Sequence, residues 1–252
     1  MILWYSGCGN SQFVAKQLAL GLHEEMQFIP DAARQDLTIK IADDGILGIV
    51  FPVYCWSVPK LVSKFIRSMK IQGKPKYVFG ACTCGDTTGY TARVLRSDLK
   101  KADLKLDAFF TFQMPETYVN LPGFHLDTPE KEQHKIAQTR ERLSKTIQLI
   151  QKRIEGDFNP LIGSQPWLKT YVVKPLFYSL LITDRKFSVS DACNGCSKCA
   201  KSCPLKNISM ENEHPHWHGN CTNCMSCYHR CPKHAINFGT VTETQGQYYF
   251  KG

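Results

Sequence analysis

Residues Cys193-Asn-Gly-Cys196-Ser-Lys-Cys199-Ala-Lys-Ser-Cys203-Pro204 and Cys221-Thr-Asn-Cys224-Met-Ser-Cys227-Tyr-His-Arg-Cys231-Pro232 carry one spacing, C-x2-C-x2-C-x3-C-P, twice in succession. The likeness continues past the cysteines, because Ile208 and Ile236 follow Pro204 and Pro232 at the same distance. Such self-similarity implies two pseudo-symmetric halves around one shared core. Three thiolates two residues apart on a tight loop can wrap three corners of an iron–sulfur cubane, and the fourth follows at a distance that sends it to the other cluster. The spacing assigns Cys193, Cys196, Cys199 and Cys231 to one [4Fe–4S] cluster. It assigns Cys221, Cys224, Cys227 and Cys203 to a second. Proline after each fourth ligand fixes φ and turns the chain away from the metal.

Zinc is the competing reading, since C-x2-C pairs commonly hold it. Zinc does not call for three evenly spaced cysteines followed by Cys-Pro, twice over, whereas a bacterial ferredoxin does. A small α+β domain near residues 188–238 is therefore expected, holding two [4Fe–4S] clusters and passing single electrons. About 50 residues cannot build a self-sufficient core, so the clusters would staple the domain. His214-Pro215-His216-Trp217-His218 lies between the repeats. With no second ligand group nearby in sequence, it reads as a connecting hairpin whose Trp217 packs on the cluster core rather than as a further metal site.

The chain of 252 residues is 43% hydrophobic and 21% charged, enough for an ordinary globular core. Met1 to Tyr5 runs straight into a glycine-rich turn without a basic leader, so a cytoplasmic protein is expected. Twelve cysteines in a reducing compartment then call for metal or catalysis before disulfides. No apolar run approaches the ~18 residues of a membrane span; the longest, Pro175 to Ile182, is flanked by charge. The formal charge of +9 counts every cysteine as neutral. Two oxidised cluster assemblies and one phosphate bring it down to about +3, which is no nucleic-acid footprint but leaves a basic face for an acidic redox partner.

The first 115 residues alternate strand and helix signals, the pattern of a parallel α/β sheet. Strands are expected at Ile2–Tyr5, Ile46–Tyr54, Tyr77–Cys82 and Leu106–Phe112, with Phe28-Ile29 or Ile39-Lys40-Ile41 supplying another. Residues Pro129 to Glu155 read as an amphipathic helix whose apolar stripe, Ile136 to Ile154, is expected between two domains. The boundaries that follow are 1–155 for the α/β domain, 156–187 for an aromatic-rich packed connector, 188–238 for the cluster domain and 239–252 for a tail.

In a parallel sheet, ligands bind at the carboxyl ends of strands, near the switch in strand order. Three loops leave such ends. In the first, the N–H groups of Ser6, Gly7, Cys8, Gly9, Asn10 and Ser11, with the positive end of the next helix, can cradle a phosphate without Lys or Arg. The second, Pro52, Val53, Tyr54, Cys55 and Trp56, brings aromatic rings that can stack on a flat ligand or simply pack helix on sheet. The third, Thr83 to Gly89, offers Thr83, Cys84, Gly85, Asp86 and Gly89 to a ring edge, with Asp86 also a possible helix cap.

These features together resemble a family of anaerobes in which a flavodoxin-like domain is fused to a two-[4Fe–4S] ferredoxin. The opening Tyr5-Ser6-Gly7-Cys8-Gly9-Asn10-Ser11, the segment Phe51-Pro52-Val53-Tyr54 and Met114-Pro115-Glu116-Thr117-Tyr118 carry the likeness beside the cysteine repeats. The resemblance implies a doubly wound five-stranded parallel sheet, FMN at the three loops, and electron passage between FMN and the clusters. Cys8 departs from the threonine usual at its position, and a thiol is the weaker donor. Cys55, Cys82 and Cys84 lie in or beside the loops and read as small core residues in preference to a redox pair or third metal site.

An electron-transfer flavo-iron–sulfur protein is the leading expectation, serving a redox partner protein or a small-molecule electron acceptor. An FMN-dependent reductase fed by the clusters, with Tyr118 as proton donor, is the second. A cluster-only ferredoxin with an empty flavodoxin domain is the third.

Overall fold

The computed structural model describes residues 1–251. The strands are, in chain order, β1 (Ile2–Trp4), β2 (Met26–Phe28), β3 (Thr38–Lys40), β4 (Ile46–Pro52), β5 (Lys70–Gln72), β6 (Tyr77–Cys84), β7 (Ala108–Gln113) and β8 (Gly156–Phe158), then β9 (Phe187–Val189), β10 (Ile208–Glu211), β11 (His214–Trp217) and β12 (Ile236–Phe238). The helices are α1 (Asn10–Leu22), α2 (Ile29–Arg34), α3 (Lys60–Ser68), α4 (Thr91–Lys100), α5 (Pro129–Gln151), α6 (Pro166–Leu168), α7 (Lys174–Leu180), α8 (Lys198–Ser202) and α9 (Ser226–His229). A π-helical turn, Lys169–Val173, joins α6 to α7 into one rod.

Six parallel strands form the central sheet in the order β2-β1-β4-β6-β7-β8. The sheet thus has six strands where five were expected. Its first five follow the doubly wound order 2-1-3-4-5, and β8 adds an edge by pairing Ala108–Phe110 with Gly156–Phe158. The second strand is Met26–Phe28; Thr38–Lys40 instead pairs with Lys70–Gln72 in a separate two-stranded ladder.

Strand alternation distributes the apolar residues between two faces. Leu3, Ile49, Phe51 and Val78 meet Val62, Phe65 and Ile66 of α3 and Leu95 and Leu99 of α4 on one side. Ile2, Val50, Phe79 and Phe110 meet Phe13, Val14 and Leu18 of α1 and Leu143 and Ile150 of α5 on the other. Helix α5 is opened by Thr128, whose hydroxyl accepts from Lys131 N, with Pro129 in its first turn and Glu130 and Glu132 near the positive end. Its stripe packs on the sheet and α1, with Ile147 against Gly21, and not between two domains; Ile154, beyond the helix end, is exposed.

The C-terminal module is a pseudo-symmetric pair of cysteine loops. Antiparallel β9 and β12 close it at its chain ends, and β10 and β11 form the hairpin between the repeats. Trp217 of that hairpin stacks on Phe187 with ring centroids 5.1 Å apart. Its core joins Tyr228, Ile236 and Phe238 to several cysteines and borrows Val119 from the α/β part.

Several attachments hold the module to the connector, the tail and the α/β part. The carboxylate of Asp184 accepts from Asn207 Nδ2 at 2.9 Å and Gly219 N at 2.7 Å. His229, whose pKa burial lowers to about 4, is neutral and bridges Thr117 O at 2.8 Å and the Tyr248 N–H at 3.2 Å. The tail returns to α1, where Phe250 N donates to Cys8 O at 2.8 Å and the Phe250 ring meets Phe13 at 4.6 Å.

At the centre of β4, Gly48 leaves no room for a Cβ, which would meet Phe79 and Ile2. Gly48→Val is expected to destabilise the fold by about 1–3 kcal/mol through overpacking. Urea unfolding of the cluster-loaded protein measures this, and an unchanged midpoint would show that the core can yield there.

Candidate functional site

One cavity of about 490 Å³ opens over the carboxyl ends of β1, β4 and β6, at the switch in strand order between β1 and β4. The three loops singled out in the sequence meet in its wall. Ser6, Gly7, Cys8, Asn10 and Ser11 line it from the first, Pro52 to Trp56 from the second, and Thr83 to Asp86 from the third. Gly9 and Gly89 stand outside it. Gly9, at φ 96°, faces the Phe250 carbonyl, and Gly89, at φ 57°, faces Trp56 and Thr170. Both are glycine because the turn needs a left-handed residue against close packing.

The first loop is tied across the sheet ends by Ser11 Oγ to Thr83 Oγ1 at 2.7 Å, and internally by Gly9 N to Ser6 Oγ at 3.0 Å. It opens α1 without a side-chain cap on the helix end. A helix start with small residues and no bulky cap is suited to an anionic group.

The second loop is a tight reversal in which Tyr54 N donates to Ser57 O at 3.0 Å and Ser57 N to Tyr54 O at 3.2 Å. Its central residues, Cys55 and Trp56, have φ of 47° and 53°. Two consecutive left-handed non-glycine residues cost about 1–3 kcal/mol each, and such strain is concentrated at binding and switch sites. It is held by the connector rod, where Thr170 Oγ1 donates to Trp56 O at 3.0 Å and Lys174 Nζ donates to Ser57 Oγ at 2.8 Å, and by the third loop, where Trp56 Nε1 donates to Thr87 Oγ1 at 3.0 Å.

A buried ionic network supports the third loop. Lys135 Nζ contacts the Asp127 carboxylate at 2.5 Å and donates to Gly85 O at 2.7 Å, and Asp127 also accepts from Glu116 N at 2.9 Å. Burial alone would raise the Asp127 pKa, but Lys131, Lys135 and the Glu116 N–H hold it below its ordinary value. Glu116 in turn lies against Gly85 and accepts from the N–H groups of Thr117 and Tyr118.

The cavity also has walls that the loops did not foretell. Residues 115–118, Leu121 and Phe124 form one, the rod from Val173 to Ile182 another, and Thr222, Asn223 and Cys224 a third. Cys224 is the point of contact with the cysteine loops. Cys8 Sγ donates to Cys224 O at 3.2 Å, and a Cβ on Gly7 would lie 2.7 Å from Cys224 Cβ.

Four of the eight repeat cysteines line one small cavity, and three others lie near one another. Cys203, Cys221, Cys224 and Cys227 line one small cavity together with Trp217 and Ile208. Cys199 lies near Cys193 and Cys231 in the module's core. Cys196 is exposed. Backbone N–H groups already point at the sulfurs, with Asn207 N to Cys203, Asn223 N to Cys221 and Ala235 N to Cys231 each at 3.3 Å. Trp217 keeps its indole N–H buried without a partner among the described residues, as an acceptor within that cavity would satisfy. No three His, Cys, Asp or Glu side chains among the described residues converge on one ion position. A cubane binds each thiolate through a different iron, so its ligands surround a volume and need not meet at a point.

Burial raises the pKa of Cys221 and Cys224 to about 12 and of Cys227 further, with the neighbouring thiols adding to the shift. Three such groups in one pocket need a cation to ionise. Of the other four cysteines, Cys82 sits in the core and Cys8, Cys55 and Cys84 line the large cavity. Burial lifts Cys8 and Cys82 to about 12 and Cys55 to about 11, and Cys84 well above its usual value, so none is a poised nucleophile.

Lys135→Met is expected to leave the buried Asp127 carboxylate with the exposed Lys131 and the Glu116 N–H as its remaining partners. A loss of about 3 kcal/mol should follow. Urea unfolding checks it; a loss within the spread of surface substitutions would mean that the network is solvated.

Comparison with known families matches a 4Fe-4S dicluster domain to residues 192–236, a span that holds all eight repeat cysteines. A search of curated proteins returns no significant match to the chain. No helix of the described residues is long and apolar enough to cross a membrane. The C-terminal region is therefore a ferredoxin-type iron–sulfur domain, set against a mixed α/β part with a six-stranded parallel sheet.

Proposed function

We propose that the protein is an electron-transfer flavo-iron–sulfur protein, with two [4Fe–4S] clusters in the module and FMN in the cavity of a flavodoxin-like domain. The contact between Cys224 and the Gly7-Cys8 turn carries this reading, because it puts a ligand of one redox centre in the wall of the site for the other. The first cluster would be held by Cys193, Cys196, Cys199 and Cys231, and the second by Cys203, Cys221, Cys224 and Cys227. FMN, when bound, supplies the exchange between one-electron and two-electron chemistry.

The chain's own residues do the positioning. The Ser6–Ser11 turn and the start of α1 would receive the phosphate through backbone N–H groups, while Cys8 donates its S–H hydrogen bond to the Cys224 carbonyl. Tyr54 and Trp56 offer aromatic faces from the strained second loop, and Gly85 lets the third approach a ring edge. The three N–H···S bonds stabilise the thiolate charge and raise the potential of the cluster they serve. Because Cys196 is exposed and Cys224 lines the cavity, the first cluster would lie toward the surface, where a redox partner could dock, and the second toward the flavin site.

Protein purified without oxygen is expected to hold about eight iron and about one FMN per chain. Zinc in place of iron would refute the clusters. Eight iron with no flavin after FMN addition would refute the flavin. Cys224→Ser is expected to remove one cluster, halving the iron and leaving one set of reduced-cluster resonances; full iron retention would show that Cys224 is not a ligand.

A further inference from the structure

The last residues of the chain lie on the outer side of the turn that opens α1, at three successive positions. Phe250 N donates to Cys8 O at 2.8 Å, the Phe250 carbonyl occupies the place a Cβ on Gly9 would take, and Tyr248 Oη donates to Asn10 Oδ1 at 3.2 Å. The Asn10 amide is held from its other end as well, where Nδ2 donates to Pro115 O at 2.9 Å. The Phe250 ring adds its contact with Phe13 on the first turn of α1. The tail is itself rooted in the second cysteine repeat: Tyr248 N donates to His229 Nδ1 at 3.2 Å and Gln247 Nε2 to Cys231 O at 2.9 Å.

A trans peptide is planar, so its C=O and N–H point in opposite directions. Holding Cys8 O outward on Phe250 N therefore aims the Gly9 N–H inward, where it donates to Ser6 Oγ at 3.0 Å and closes the turn. The N–H groups of Gly7, Cys8, Asn10 and Ser11 are left without an acceptor among the described residues. Such donors around one turn, at the positive end of a helix, suit a dianionic group. Without the tail the Cys8–Gly9 peptide is free to rotate, and a turned peptide points its carbonyl into the turn, where it repels an anion. We propose that the tail, through Phe250 and Tyr248, positions the Ser6–Ser11 turn and makes the site selective for a flavin that carries a phosphate. The assignment rests on the flavin reading and adds to it a positioning role for residues that stand outside the cavity wall.

FMN and riboflavin differ by the phosphate alone. Each is titrated, without oxygen, into flavin-free protein with its clusters intact; flavin fluorescence reports binding, and iron is counted in every sample. The whole chain is expected to bind FMN about tenfold or more tighter than riboflavin. In a chain ending at Gln247, FMN should bind about tenfold more weakly, for one lost charge-assisted hydrogen bond, with riboflavin unchanged. Phe250→Pro removes the N–H but keeps the anchors at Gln247 and Tyr248, and it should reproduce most of that loss. It also decides the matter if the shortened chain sheds iron. FMN affinity that neither change alters would overturn the proposal. So would an equal loss for both flavins, since the tail then only joins the two parts. Equal binding of the two flavins by the whole chain overturns it too, because the turn then holds no phosphate. A whole chain with about eight iron that binds neither flavin refutes the flavin reading itself, and the positioning role falls with it.

Discussion

The close approach of Cys224 to Gly7 is the constraint on which the arrangement depends. A side chain at residue 7 would collide with Cys224 Cβ, so the turn at the end of β1 and the loop of the second cysteine repeat share one wall. Neither part alone completes that wall. The attachments therefore cluster around it: Cys8 to Cys224, Phe250 to Cys8, His229 to Thr117 and Asn223 Nδ2 to Leu181 O. Each joins a residue of the module or tail to a segment that lines the cavity or directly abuts it. The module's core also takes Val119 from the segment that carries Glu116 and Tyr118. Displacing the module by even a side chain's width would open the cavity.

Electrostatics separates the twelve cysteines into two kinds. In the pocket that Cys221, Cys224 and Cys227 share with Cys203, the ionisation of those three is opposed first by burial and also by neighbouring thiols. Metal binding reverses the sign of that interaction, so loading the site and folding the module are coupled. Cys82 is equally buried, but its listener is the neutral hydroxyl of Thr111 at 3.7 Å. It gains nothing from ionising and behaves as a small apolar residue.

The cysteine repeats, the three strand-end loops and the alternation of strand and helix were legible because each is a local pattern. The module's two ligand groups follow from spacing alone. What escaped was decided by tertiary packing. Thr38–Lys40 and Met26–Phe28 are both three-residue strands, and only the neighbour each finds distinguishes the sheet from a side ladder. Gly156-Asp157-Phe158 has no strand signal of its own and pairs because Phe158 stacks on Phe110 at 4.9 Å. The stripe of α5 was readable, but the surface it covers was not. At the cavity, the apolar walls come from residues some 50 positions apart in the chain, around 121 and 176, and no window in the sequence joins them. The left-handed pair Cys55 and Trp56 was hidden for a different reason, since neither residue type advertises that conformation.

That strained pair shows why the connector is folded as a rod. A reversal with two non-glycine residues at positive φ persists when its surroundings over-determine it. The rod supplies those surroundings through Thr170 and Lys174, while Tyr178 accepts from Lys60 N at 3.2 Å at the start of α3. Thr170 also accepts from Tyr90 N at 3.0 Å, so one buried hydroxyl ties the second loop to the end of the third. The same rod then presents Leu176, Phe177 and Leu180 to the cavity. Holding the loop and walling the chamber are thus one structural act: a rod placed to enforce the turn at Cys55 and Trp56 has its next turn over the cavity mouth. A flexible linker between the two parts could do neither.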